Sequence, residues 1–163
     1  MPTTADYKTS VATILAGTFL LLSILPLPVR AERPGCDDAM GERAENEVDY
    51  LKTWDQIYDS FKRYSACDDG AIAEGYSGAV VRMLADRWNQ LPTLRILADH
   101  DERFSKFVFK HIDATTDDHD LDRVVANADR HCPQGDEQLC KTIRLQAGAA
   151  RSQQDKIYPP KGH

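Results

Sequence analysis

An apolar run from Val11 to Leu25, broken only by small or hydroxylated residues and closed by Pro26 and Pro28, divides this chain and constrains everything after it. Lys8 precedes the run, with Asp6 offsetting its charge. Val29-Arg30-Ala31 then places small or compact side chains at the −3 and −1 positions of a peptidase site. Residues 1–31 therefore read as an export signal, cleaved after Ala31. The rival is a retained anchor, but crossing a bilayer takes about 20 apolar residues, and this run is shorter. A lipoprotein is disfavoured because Arg33-Pro34-Gly35, ahead of Cys36, lacks the Leu normally found at −3. The expectation is a periplasmic or secreted protein with no stable membrane insertion after cleavage.

Export changes the meaning of the four cysteines, because thiols in an oxidising compartment become cross-links. Four cysteines allow three pairings. Cys132 and Cys140 bracket Pro133-Gln134-Gly135, and a turn there brings two cysteines within bridging range. That leaves Cys36 with Cys67, a longer loop whose closure stabilises by about 3–4 kcal/mol. No C-x-x-C pair is present to suggest zinc.

Past the signal remain about 130 residues, one domain that buries roughly two-thirds of its unfolded surface. Residues 32–47 are polar and read as a loop leading into a helix. Leu51, Trp54, Ile57, Tyr58 and Phe61 then recur at three- and four-residue steps, one face of a helix over 48–64. Asp68 and Asp69 suit the N-cap of a second helix, with Ile72, Tyr76, Val80, Met83, Leu84 and Trp88 inside. Gly75 and Gly78 weaken that helix but allow a neighbour to approach closely. Pro92 opens a short segment, Asp101 caps a helix with Phe104, Phe107, Val108 and Ile112 inside, and Thr116 or Asp117 starts the next. The last helix begins at Asp136 and fades near Ala150, leaving residues 151–163 as a disordered tail. Sustained two-residue alternation is missing. The expected fold is all-α: one bundle of five or six helices over residues 48–150, with two disulfides.

The formal charge of −6 excludes the counterion-release energy that drives nucleic-acid binding. It also opposes anionic lipid headgroups. A protein partner, or a basic one, fits better, and a homodimer belongs to the alternative of a structural or chaperone-like role. The densest chemical cluster is His111 with Asp113, Asp117, Asp118, His119 and Asp120. A calcium loop starting at Asp113 fails, because Asp118 holds the glycine position and Val124 the closing glutamate position. His111 and His119 straddle an expected helix break, so nothing sets their separation for zinc. Carboxylates at a helix start serve as caps, and Asp113, Asp117, Asp118, His119 and Asp120 stand as a polar surface site. Gly75-Tyr76-Ser77-Gly78-Ala79 narrowly misses the G-x-S-x-G elbow and lacks its preceding strand. Asp99-His100-Asp101 reads as a capping turn, and His131 adjoins a bridged Cys132. Trp54, Trp88, Tyr58, Tyr64 and Tyr76 read mainly as core. No catalytic residue, cofactor or metal is expected.

The aromatic helix Trp54–Tyr64 running into Ser65-Ala66-Cys67, a second helix with Tyr76, and a late cysteine beside a helix resemble periplasmic immunity proteins of type VI secretion amidase effectors. The resemblance implies a non-enzymatic inhibitor that occupies the active-site groove of a cell-wall hydrolase. The alternatives are an envelope enzyme using the Asp113–Asp120 cluster and a structural or chaperone-like envelope protein.

Overall fold

The computed structural model describes residues 35–157 and residue 159. The signal expected over residues 1–31 lies outside them, as do residues 160–163. The described residues belong to one compact unit. They form seven α-helices and no strand: α1 (Asp38–Val48), α2 (Trp54–Tyr64), α3 (Gly70–Asp86), α4 (Leu91–His100), α5 (Glu102–Lys110), α6 (Asp118–Arg130) and α7 (Glu137–Ile157). Short 3-10 turns at Ser65–Cys67 and Trp88–Gln90 follow α2 and α3. Among the described residues no helix is long and apolar enough to cross a membrane.

The all-α class holds, with seven helices in place of five or six. The extra helix is α1, which occupies most of the stretch expected to be a polar loop. Asp37 starts it by accepting the Met40 N–H at 2.7 Å, and Ala44 and Val48 bury one side. The single helix expected over 48–64 is also broken. The chain turns between Val48 and Trp54, and Thr53 Oγ1 accepts the Gln56 N–H at 3.2 Å while Gln56 Oε1 accepts the Lys52 N–H at 2.8 Å. The Thr53 hydroxyl satisfies one of the N–H groups that a helix start leaves open, and the Gln56 side chain ties down the residue ahead of the cap. Further on, Asp69, Asp101 and Asp117 cap α3, α5 and α6.

The tail is a second correction. Residues 151–157, read as disordered, continue α7. Ala147, Ala150 and Gln154 keep the buried side facing inward. Gln154 Nε2 donates to the carbonyls of Ala114 at 3.2 Å and Thr116 at 2.5 Å. Arg151 pairs with Asp155 on its own helix, and its Nε lies 3.3 Å from Asp122 on α6.

α3 runs centrally, packed against α1, α2 and α6, while α7 lies along α6. Trp54, Ile57, Tyr76, Leu84, Leu94, Phe104, Ile112, Leu121 and Ile143 are fully buried, each contributing on the order of 1.5–3 kcal/mol through lost apolar exposure. Phe61, Phe104, Phe107 and Tyr76 meet edge-on or tilted, with ring centroids 4.9–5.5 Å apart in the closer pairs. Both expected disulfides are formed. Cys36 and Cys67 bridge at a Cα separation of 5.1 Å, joining the start of α1 to the turn after α2. Cys132 and Cys140 bridge at 6.0 Å, tying the α6–α7 connection to α7.

Candidate functional site

The residues that come together are not those adjacent in sequence. Ser77 lies mid-way along α3, and His111 caps the C-terminal end of α5; each is only 1 % exposed. Their side chains meet across the helix interface, with Ser77 Oγ 3.0 Å from His111 Nδ1. The Ser77 hydroxyl also lies 2.7 Å from Asp113 Oδ2 and 3.0 Å from the Ala73 carbonyl. On the other side of the ring, His111 Nε2 is 3.2 Å from Asp68 Oδ2, which Lys110 Nζ approaches at 2.6 Å. The rings of Phe107 and Tyr76 flank the imidazole at centroid distances of 4.4 and 5.6 Å.

Each element delivers its residue for a local reason. Asp69 takes the N-cap of α3, accepting the Gly70 N–H, and this leaves Asp68 directed at His111 and Lys110. The C-terminal end of α5 carries the negative pole of its dipole and favours the basic residues placed there. Asp113 is oriented by the backbone N–H and hydroxyl of Thr115, both on Oδ1 at 2.8 and 2.6 Å. Burial pushes the Asp68 carboxyl up, but the hydrogen bonds from His111 and Lys110 outweigh it and hold the group below the usual carboxylate range. Its other oxygen, Oδ1, is buried with no protein donor. Nearby, burial pushes the Tyr76 phenol up to about 12, even though its hydroxyl pairs with Ser60 at 2.9 Å.

Serine, histidine and aspartate in contact suggest nucleophilic chemistry, but the geometry opposes it. Ser77 is only 1 % exposed, and its Oγ is enclosed between α3 and the C-terminal end of α5. Ser77 lies within α3 with no strand ahead of it, so the strand-to-helix turn of a G-x-S-x-G elbow is not formed at this position.

The polar surface site expected from Asp113, Asp117, Asp118, His119 and Asp120 is dispersed. Asp113 turns inward to Ser77. Asp117 accepts the backbone N–H groups of His119 and Asp120, as a cap does. Asp118 lies 3.7 Å from Arg151, and Asp120 pairs with Arg123 at 2.6 Å. The His119 side chain is 86 % exposed, with a distant contact to Asp118 at 3.9 Å. Among the described residues no group of three or more histidines, cysteines or carboxylates is placed to hold a metal ion. Asp99 and Asp101 likewise diverge, Asp99 toward Arg95 and Asp101 toward the start of α5.

Surface hollows lie among the described residues. One of about 380 Å³ lies between α4, α5 and the start of α7, bordered by Arg95, Asp99, Phe109, Asp136 and Leu139. The buried Asp136 carboxylate is held there by Arg95 Nε at 2.8 Å. Another, about 250 Å³, lies at the α1–α2 turn beside Tyr50, Gln56 and Arg63. Tyr50 is 72 % exposed.

The His111 cluster was hidden from sequence reasoning. Ser77 and His111 are 34 residues apart, a separation that no local spacing pattern spans. Compared with protein-family models, curated proteins and solved structures, the chain matches none.

Proposed function

We propose that this chain is an exported, non-enzymatic protein-binding domain, an inhibitor or immunity protein that blocks a cell-wall hydrolase in the periplasm. The enclosure of Ser77 and His111 carries this reading, because this close serine–histidine–aspartate contact is spent on holding α3 to the C-terminal end of α5. Two disulfides are compatible with an oxidising compartment. The acidic charge favours a basic partner through attraction across the interface. Tyr50, Ile96 and Leu145 are exposed side chains of apolar or aromatic type that interfaces can use as anchors.

The test begins with the full chain, tagged, exported and cross-linked in cells, to identify what it holds. The captured hydrolase is then assayed on purified peptidoglycan with increasing amounts of the protein. Inhibition that saturates near one-to-one stoichiometry is expected. Unchanged hydrolysis at tenfold excess, or capture of no hydrolase at all, would remove the proposal.

A further inference from the structure

We propose that the Cys36–Cys67 bridge is a redox latch: a dithiol reductant attacks it at Cys36 Sγ, and opening it releases α1 from α2 and α3 while α2–α7 keep their fold. This goes beyond the inhibitory role and does not depend on it. What seats α1 carries the inference. Of its 11 residues only Ala44 and Val48 are buried. Val48, the last of them, belongs to the main core and is wedged against Gly75 of α3. The helix ahead of Val48 rests on a separate, smaller cluster, in which Ala44, Tyr64 and Cys67 pack with Cys36, Met40 and Ile72. Both halves of the bridge are members of that cluster, so opening the bridge opens the cluster. Among the described residues the helix is otherwise tied to α2 by the ion pair of Glu47 with Arg63, which is in contact with solvent and contributes little. A helix this short is marginal without tertiary support. Val48 and Leu51, both in the main core, leave a fixed point about which α1 swings away.

The second bridge sets the contrast. Cys140 belongs to the main core and Cys132 packs against it. α6 and α7 are also joined by Asp129 with Arg144 at 3.2 Å and by Asp122 with Arg151 at 3.3 Å. Opening Cys132–Cys140 removes a restraint from an interface that is held without it. The main core, with Trp54, Phe61, Tyr76, Leu84 and Phe104, spans α2, α3 and α5 and does not need α1 to stay closed. Access selects the sulfur: Cys67 is 1 % exposed, whereas Cys36 is partly exposed, next to exposed Gly35. A thiolate of the reductant bonds to Cys36 Sγ, the bond to Cys67 breaks, and Cys67 leaves with the electron pair and takes a proton from water. The second thiolate of the reductant then attacks its own sulfur in the mixed disulfide. That closes a disulfide in the reductant and frees Cys36, which takes a proton in turn. The bridge gains two electrons and two protons, and the dithiol loses them. Tyr64 and Ile72 are uncovered as α1 departs.

Backbone amide NMR of the full chain in excess dithiothreitol, without denaturant, tests this. Signals from Asp38 to Glu47 are expected to move to random-coil positions while those of α2–α7 stay dispersed, and reoxidation should restore them. C36A/C67A under oxidising conditions, with Cys132–Cys140 intact, should show the same pattern. Trypsin should then cut after Arg43 faster by about 100-fold or more, the scale of the restraint that a loop of this size supplies. With glutathione as a one-thiol probe, peptide mapping should find the mixed disulfide on Cys36. Native α1 signals after both thiols have become free would overturn the proposal, as would collapse of the whole spectrum in C36A/C67A. A bridge that resists dithiothreitol in the folded protein, or a mixed disulfide mapped to Cys67, would overturn Cys36 as the point of attack.

Discussion

Gly75 of α3 lies against Val48 of α1 so closely that a Cβ at Gly75 would stand 2.3 Å from Val48 Cγ2 and 2.8 Å from its Cβ. Val48 is 2 % exposed and has nowhere to retreat. Gly75→Ala should therefore force the helices apart and cost about 1–3 kcal/mol, the range for overpacking. Gly78, three residues on, is different. A Cβ there meets only the Arg82 guanidinium at 3.0 Å, the far end of a flexible chain on the same helix. Gly78→Ala should be neutral or stabilise by up to about 1 kcal/mol through helix propensity. Urea unfolding of the two variants should give midpoints on opposite sides of the parent, or G78A level with it.

The contrast also shows what the chain reveals before folding. Both glycines were expected to admit a neighbouring helix, and only Gly75 does, because which face meets α1 is a tertiary fact. Apolar steps and aspartate caps were enough to place α3, α5 and α6, and the even cysteine number with the turn between Cys132 and Cys140 suggested both disulfides. The apolar steps misled at Val48, Leu51 and Trp54, which keep three-residue spacing straight through a turn. The signal for that turn was Thr53 followed three residues later by Gln56. Residues 151–157 have little apolar pattern and are helical because Gln154 reaches loop carbonyls 38 and 40 residues away. His111 and Ser77 meet by the same kind of long-range event, which local spacing does not encode.

The two disulfides should differ in worth. Cys36–Cys67 closes a loop with a separation of 31 residues, and Cys132–Cys140 one of 8. Chain entropy then assigns about 3–4 kcal/mol to the first and about 2–3 kcal/mol to the second. The paired variant C36A/C67A should lower the urea midpoint more than C132A/C140A. It should also expose α1 to proteolysis first, since that bridge anchors the start of α1. Equal losses would mean that native contacts, and not the restraint on the unfolded chain, set what each bridge contributes.

Asp68 should make the fold sensitive to acid. Its carboxyl is held below the ordinary value of 3.8 by His111 and Lys110 against the opposing effect of burial. A group depressed in the folded state contributes stability above its unfolded pKa, and that contribution is lost as pH falls through the folded one. Stability should therefore decline below about pH 4. Asp68→Asn should cost about 1–3 kcal/mol at neutral pH, because charged donors lose their acceptor. It should also flatten the acid limb of a plot of urea midpoint against pH. An acid limb of the same slope in D68N would assign the decline to other carboxylates.

Tyr76 sets the opposite limit. Its phenol is raised from 10.0 to about 12, with burial as the main cause and Glu47 and Asp68 adding to it, while the Ser60 hydrogen bond acts the other way. The folded state thus retains a proton that the unfolded chain releases. Linkage makes the contribution complete below pH 10 and lost as pH rises toward about 12. Over that interval the slope should correspond to about one proton from this residue. Tyr76→Phe removes the ionisable group and leaves the Ser60 hydroxyl without it, so it should cost on the order of 1 kcal/mol at neutral pH. The informative readout is the difference between variant and parent, which should narrow steadily above pH 10. A constant difference across the alkaline range would show that the Tyr76 phenol ionises as readily in the folded protein as in the unfolded chain.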